Sequence, residues 1–238
     1  DWSSDVCSSD LCLEQIRVDI CIHNLPVFVV GNGGGYGYGI MGATHHAIED
    51  IACMSSLQNM TCYVPAFAED VSKCVDAILE KNAPAYLRLG LAKKYPAGLT
   101  INNSVNCICR NDNASATIIA LGPVVNNVIE ALSKIDEASA IDLFAVTELP
   151  LLNLPPEIAL SLKHTKKLLI VEEHVKRGGL AEHITLLMMQ QGVKVDKFAA
   201  LNAAGYPTKE YGSQSFHQTQ SGLNPENIRN VILNIVIN

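Results

Sequence analysis

Basic clusters are missing from this sequence: no run of Lys or Arg is longer than two residues, Lys166-Lys167 being one such pair. With 17 Lys+Arg against 24 Asp+Glu and a net charge of −7, the chain carries no electrostatic footprint for nucleic acid. No apolar run approaches the roughly 18 residues that a membrane span needs. The sequence shows no basic stretch leading into an apolar core of the signal-peptide kind. No Cys-x-x-Cys pair occurs among the eight cysteines, which removes the commonest zinc and redox spacings. Cys107-Ile108-Cys109 is the nearest approach to a ligand pair, and it has no further ligand close by. The other cysteines sit mostly in apolar patterns, where a thiol behaves as a small hydrophobe. A reducing, cytoplasmic setting with buried thiols is therefore expected.

What is present is apolar material: 48% of 238 residues are hydrophobic, enough for one large α/β domain or two modest ones. Residues 1–10, DWSSDVCSSD, stand apart. Ser-Ser-Asp occurs at 3–5 and again at 8–10, no Met opens the chain, and no helical or strand period is visible. The stretch resembles translated adapter DNA and is expected to be non-native or disordered, with the true beginning of the chain missing.

From Leu13 to Ile22 apolar residues recur at helical spacing, and Pro26–Val30 is a short apolar run of the buried parallel-strand type. A helix is expected from about Thr44 to Leu57, with Thr44 as N-cap. A strand follows near Thr61–Val64, then a helix over Glu69–Lys81 and a strand over Ala85–Leu89. Residues 92–113 lose their period and read as a linker carrying a short hairpin. Alternation then restarts: strands at Ala116–Leu121, Ala140–Val146, Lys167–Val171 and Val193–Phe198, helices at Val124–Ile135, Pro156–Leu162, Leu180–Gln190 and Pro225–Ile235. The pattern predicts an α/β chain of two doubly wound parallel-sheet domains, over 11–91 and 114–238.

Gly31 to Gly42, GNGGGYGYGIMG, is the densest local signal. Glycines at this density permit positive φ and close approach to a ligand, and the stretch follows a strand, where open α/β sheets bind. Gly37, Gly39 and Gly42 match G-x-G-x-x-G formally. The match begins well past the strand, and no acidic residue closes a second strand, so a dinucleotide site is disfavoured. A plain surface loop is the simpler alternative. Next come His45 and His46. On a helix, His45 would share a face with Glu49, and His46 with Asp50, yet no third metal ligand stands at a clear spacing. A histidine at this place suits substrate hydrogen bonding or proton transfer, and a capping or packing role for His46 is equally open.

Several stretches resemble the transketolase family. Gly42-Ala43-Thr44-His45 is similar to its G-[PA]-T-H motif. Leu57-Gln58-Asn59-Met60-Thr61-Cys62-Tyr63-Val64-Pro65 resembles its L-P-N-M-x-V-x-x-P strand, and Pro84-Ala85-Tyr86-Leu87-Arg88-Leu89-Gly90 its P-x-Y-x-R-L-G strand. Val171-Glu172-Glu173-His174 with Gly178-Gly179-Leu180 resembles its V-E-E-H…G-G-L stretch. The order and spacing of these motifs run through nearly all the chain.

The resemblance implies part of a pyrimidine-binding domain followed by the family's C-terminal domain. It implies thiamine diphosphate as cofactor and transfer of a two-carbon ketol unit between sugars, the cofactor carrying the carbanion chemistry. By the family pattern His45 is catalytic and touches the cofactor, while Met41, Gly42, Thr44 and His46 contact substrate. No Gly-Asp-Gly occurs in the sequence, and the family's activating Glu is expected upstream. Mg²⁺ and the diphosphate would therefore be held by a partner subunit or a missing domain, in a homodimer or heterotetramer, and the chain alone would be inactive. Met41 replaces the family's usual Asp, Gly33 a substrate-phosphate His and Leu91 a second Arg, which points away from ordinary pentose phosphates and towards split, transketolase-like subunits. Deoxyxylulose-phosphate synthases and 2-oxo-acid dehydrogenase β subunits share parts of the pattern. From another class, a non-catalytic α/β binding or scaffolding module is the alternative. The second domain is expected to be architectural and away from the chemistry, with Glu172, Glu173 and His174 as an ion-paired and hydrogen-bonded strand end.

Overall fold

A computed structural model describes residues 12–95, 104–135 and 140–237. Residues 1–10 and the middle of the expected linker lie outside them. In chain order the elements are α1 (Leu13–Gln15, running into π-helical turns over Ile16–Cys21), β1 (Phe28–Asn32), α2 (Asp50–Ser55), β2 (Thr61–Tyr63), α3 (Asp70–Lys81) and β3 (Ala85–Leu89). There follow β4 (Val105–Cys109), β5 (Ala116–Leu121), α4 (Val125–Leu132), β6 (Ile141–Val146), β7 (Glu148–Leu149), α5 (Pro156–Thr165) and β8 (Lys167–Glu172). The chain closes with α6 (Leu180–Gln190), β9 (Lys197–Leu201), α7 (Gln214–Gln220) and α8 (Pro225–Ile237).

Two sheets form, ordered β1-β3-β2-β7 and β4-β6-β5-β8-β9. Within the first, β1, β3 and β2 are parallel and β7 is antiparallel; within the second, only β4 is antiparallel. The parallel core of each sheet matches the expected α/β architecture. The short antiparallel edges do not announce themselves in sequence. The second half of the expected linker is not a separate hairpin: β4 pairs with β6 and extends the second sheet.

Strands β5 and β6 are buried along their whole length, as continuous apolar runs require. Their side chains alternate. Ile119, Leu121, Phe144, Leu168 and Ile170 join one core cluster with Ile158 and Leu162 of α5 and Leu180 and Ile184 of α6. Ile118, Ala120, Leu143, Leu169 and Val171 join another with Val125 and Val128 of α4 and Ile228 and Ile232 of α8. Helices thus cover both faces. The first cluster also contains Cys62, Val64 and Tyr86 of the first sheet, so one core runs through both units. β7, which follows β6 directly, pairs with β2 and joins them further.

Four expectations shift. The strand expected to be buried over Pro26–Val30 starts at Phe28 on the sheet edge, with Phe28 37% and Val30 57% exposed. The helix expected from Thr44 begins only at Asp50, after Glu49 at the N-cap. Upstream, Ala47 bridges to Gly34 and Gly35, with Gly35 N–H donating to Ala47 O and Ala47 N–H to Gly35 O. The backbone is satisfied across the loop, so no helical turn forms there. The last strand begins at Lys197 rather than Val193, because Val193 is buried at the end of α6, its N–H donating to Met188 O. The cysteines divide: Cys21, Cys62 and Cys74 are buried as expected, while Cys12, Cys107 and Cys109 are exposed, the last two on edge strand β4. Among the described residues no three His, Cys, Asp or Glu side chains gather as a metal site, and no helix is long and apolar enough to cross a membrane.

Glu172, fully buried at the end of β8, accepts from the first turn of α6: Leu180 N–H at 2.6 Å and Ala181 N–H at 3.0 Å, with Asn202 Nδ2 at 2.8 Å. Burial pushes its carboxyl up to about 7, against the lowering effect of those three bonds. An unfolded Glu titrates near 4.3. Between these values the folded state holds a proton that the unfolded chain has released, so this group makes the fold less stable as pH rises. Glu172→Gln, which cannot ionise, is expected to gain on the wild type by up to about 1.4 kcal/mol per pH unit between pH 5 and 7. Paired urea denaturation at the two pH values checks this, and a constant difference contradicts it.

Candidate functional site

β1 delivers the chain into the glycine loop, and Arg88 of β3 fixes where the loop ends. Arg88 is 3% exposed. Its Nε donates to Asp50 Oδ2 at 2.9 Å, and its Nη2 to Ala47 O at 2.6 Å and Glu173 O at 3.0 Å. Tyr86 Oη donates to the same Asp50 oxygen at 2.8 Å. One cation thereby ties β3, the start of α2, the loop and the end of β8.

The second unit grips the loop from its other side. Glu173 Oε1 accepts Tyr36 N–H at 2.7 Å and Gln214 Nε2 at 3.0 Å, and Oε2 accepts Gln218 Nε2 at 2.7 Å. Tyr36 is wholly buried, its Oη donating to Gly205 O at 3.1 Å and lying 3.0 Å from Ser221 Oγ. His174 Nδ1 donates to Val175 O at 2.7 Å and Nε2 accepts Ala52 N–H at 3.2 Å; burial lowers its pKa. The Glu172-Glu173-His174 strand end is therefore hydrogen-bonded, as expected. Its bonds go to backbone and amide groups, where ion pairs were expected. The second domain does not stand away from the loop; it holds it.

The glycines are spent on these contacts. Gly35 has φ +70°, and a Cβ there would lie 2.6 Å from Glu173 Oε1. Gly42 has φ +76°, and its Cβ would lie 2.6 Å from the Tyr211 ring. A 3₁₀ turn spans Gly39–Met41, followed by a turn in which His45 N–H donates to Gly42 O at 3.0 Å.

The residues singled out by motif lie together on this turn but differ in character. His45 is half-buried, with Nδ1 2.9 Å from Thr44 Oγ1 and its ring edge-on to Tyr38 at 6.0 Å. Two large apolar side chains are exposed on the same turn: Ile40 is 77% and Met41 52% exposed. Thr44 is exposed and bonded to His45, so it orients that ring where a helix cap was expected. His46 is buried, with Nε2 2.8 Å from Gly39 O and Nδ1 2.9 Å from Tyr206 Oη. Both its ring nitrogens are thus occupied by the protein, as the packing alternative requires. Since neither histidine is on a helix, the suggested pairings with Glu49 and Asp50 do not form. Tyr206, His217, Gln214 and Gln218 were not singled out in the sequence. Their stretch has no period, and Ser213, whose Oγ accepts Phe216 N–H at 3.2 Å, is the one capping signal for α7.

A cleft of about 260 Å³ opens behind the loop, lined among others by Leu91, Lys93, Asn126, Glu173, Gln214 and Gln218. It lies where β5 and β8 end and strand order reverses, with β6 to one side and β9 to the other, the place where such sheets bind ligands. Leu91 is exposed, and Lys93 Nζ lies 3.6 Å from Glu130 Oε2.

Comparison with known proteins agrees with this architecture. The family model "Transketolase, pyrimidine binding domain" matches residues 8–92, and "Transketolase, C-terminal domain" matches 107–228. The chain belongs to the transketolase family, whose members use thiamine diphosphate. A 1-deoxy-D-xylulose-5-phosphate synthase 1 from Geobacter metallireducens is 30% identical over 223 residues, covering 90% of this chain and 35% of that protein. One of the subunits of an apulose-4-phosphate transketolase from Phocaeicola vulgatus is 27% identical over 192 residues, 77% of this chain and 60% of the relative. The chain thus spans less than two thirds of either. Among solved structures, one described as "Split gene transketolase, inactive beta4 tetramer" superposes with TM-score 0.77 at 23% identity, covering 98% of this chain and 75% of that one. Leishmania mexicana transketolase superposes at 0.79 and 15% identity, with 98% and 33% covered. These likenesses establish the shared fold.

The loop's packing is directly testable. Gly35→Ala combines left-handed strain of about 1–2 kcal/mol with displacement of Glu173 from Tyr36 N–H. Gly192→Ala has φ +67° and open space around it, so it carries the strain alone. Gly35→Ala is expected to lower the urea midpoint clearly more than Gly192→Ala; equal effects contradict the described contact.

Proposed function

We propose that this chain is the subunit or section of a thiamine-diphosphate-dependent, transketolase-type transferase that carries the site loop, and that it moves a two-carbon ketol unit between sugars together with a diphosphate-binding partner. The observation that carries this reading is His45. It is a half-exposed imidazole held through Nδ1 by Thr44, beside exposed Ile40 and Met41, at the end of a loop whose other side chains are anchored. Its Nε2 makes no hydrogen bond among the described residues, so it is free to serve a substrate hydroxyl as donor or acceptor.

The donor set suits one end of the cofactor. Apolar Ile40 and Met41 and the His45 ring fit an aromatic heterocycle, which when bound supplies the carbanion-stabilising chemistry. Mg²⁺ and the diphosphate need a cage of oxygen ligands, and the loop's exposed residues do not offer one; the partner would supply it. Gly42, packed under the Tyr211 ring, sets the turn that leads to His45, Met41 shapes the entrance, and His46 acts from beneath by packing. Deoxyxylulose-phosphate synthesis is the second reading, favoured by the 30% identity to such a synthase.

Supplying the assembled enzyme with a ketose phosphate plus an aldose acceptor, or with pyruvate plus glyceraldehyde phosphate, separates the two, according to which donor is consumed. In that assembly His45→Ala is expected to lower kcat by about 10²–10⁴-fold with cofactor affinity changed far less. Undiminished turnover removes His45 from the chemistry. Calorimetry of the chain alone is expected to show little thiamine diphosphate binding; tight binding contradicts a shared site.

A further inference from the structure

One hydroxyl of the second unit reaches the turn beneath His45 through a buried imidazole. His46 Nε2 lies 2.8 Å from Gly39 O, and its Nδ1 lies 2.9 Å from Tyr206 Oη. A carbonyl only accepts, so Nε2 must carry the proton. In the neutral ring Nδ1 then accepts, and the Tyr206 hydroxyl is its donor. Burial favours this state on both sides: it lowers the His46 pKa and pushes the Tyr206 phenol up, so the ring stays neutral and the phenol keeps its proton. His46 is 7% exposed, so an Nδ1 deprived of Tyr206 would be a buried acceptor with nothing to replace the lost bond.

Gly39 O also accepts Gly42 N–H at 3.1 Å, which with His46 Nε2–H occupies both its lone pairs, and Gly42 O accepts His45 N–H at 3.0 Å. The carbonyl that His46 holds is thus the first link of a chain of turns ending at His45. We propose that Tyr206 is a positioning residue for this site: its hydroxyl satisfies His46 Nδ1, keeps the ring aimed at Gly39 O, and so sets the turn that presents His45. The proposal rests on the reading of His45 as a site residue.

Tyr206 is in turn fixed by the loop it serves. Tyr36 Oη lies 3.1 Å from Gly205 O and accepts Gly205 N–H at 3.0 Å, which places the backbone immediately before Tyr206. The Tyr206 ring lies 15° from parallel to that of His46, with centroids 5.6 Å apart. It also lies 5.8 Å from Tyr211, whose ring fills the space that a side chain at Gly42 would need. Tyr36 meets His46 edge-on at 5.2 Å, and His217 meets it edge-on at 4.8 Å. The contacts close a circuit: Tyr36 of the loop to Gly205, Tyr206 to His46, and His46 to Gly39. Removing the Tyr206 hydroxyl leaves each of these ring contacts in place and breaks the circuit at one bond.

Long-range proton–nitrogen correlation spectra of the full chain test the arrangement without any variant: His46 is expected to be neutral and protonated on Nε2. In Tyr206→Phe its Nδ1 resonance is expected to move as the donor is lost. Amide exchange at Gly42 and His45 reads the turn. Leaving a buried acceptor unpaired in Tyr206→Phe is expected to raise their opening on the order of tenfold. His46→Phe, which loses both bonds, is expected to raise it at least as much, and the double variant no more than His46→Phe alone, because the two residues act through one path. Protection of β5 amides shows whether a variant has simply unfolded. In the assembly, Tyr206→Phe is expected to lower kcat about tenfold, within the roughly 10²-fold that a slight misplacement costs, with cofactor affinity changed less. A wild-type His46 protonated on Nδ1, unaltered exchange or kcat in Tyr206→Phe, or additive effects of the two substitutions each overturn the positioning role. The expected spectra and exchange in an assembly that consumes neither donor overturn the reading of His45 instead.

Discussion

The Arg88–Asp50 pair is the constraint on which the arrangement rests. Both side chains are nearly inaccessible, at 4% and 6% exposure, and Nε lies 2.9 Å from Oδ2. Taking two charges out of water costs several kcal/mol each, and removing one partner of such a pair costs about 3–5 kcal/mol. The pair is offset here by further bonds: Arg88 also serves two carbonyls, and Tyr86 supplies a second donor to Asp50. Asp50 Oδ1 has no partner among the described residues, so the compensation is one-sided. Because Ala47 O belongs to the loop and Glu173 O to the end of β8, a shift of Arg88 would move the loop and the sheet end together. The electrostatic demand of one buried cation thus sets the relative position of the two sheets at the site.

Around that pair the loop is built by removing side chains. A chain this rich in glycine has a large conformational entropy to lose, so its order must come from contacts made elsewhere. Those contacts are with Glu173, Tyr211, Gly205 and His217, all in the second unit. Absent Cβ atoms admit the carboxylate and the rings, and those groups hold the backbone in return. The motif-bearing turn stays in place without a helix of its own.

This division explains what was legible in the sequence. Ala116–Leu121 and Lys167–Val171 read as strands because a central parallel strand is buried on both faces and is therefore largely apolar. Strands β4 and β7 escaped because edge strands have no such demand, and the pairing that defines them is to residues far along the chain. Thr44 read as a helix cap because Ser and Thr usually are. The bridge between Ala47 and the glycines, invisible to any local pattern, claimed the backbone first. In the site, His45 was legible because it sits inside a local motif. His217 was not: Gln214–Gln220 is polar, short and aperiodic, and only tertiary contacts with Tyr36 and His46 give His217 its place.

The second unit therefore has a definite physical task. If only the first sheet were present, Tyr36, 0% exposed here, would stand in water, and Glu173, Gln214 and Gln218 would no longer anchor the loop. His45 would then sit on a segment free to sample many turns, and the proton-transfer role proposed for it requires a group held close to its target. In this chain the order of the loop depends on the C-terminal unit. The loop and the C-terminal residues that anchor it, Glu173, Gln214 and Gln218, thus behave as one structural unit.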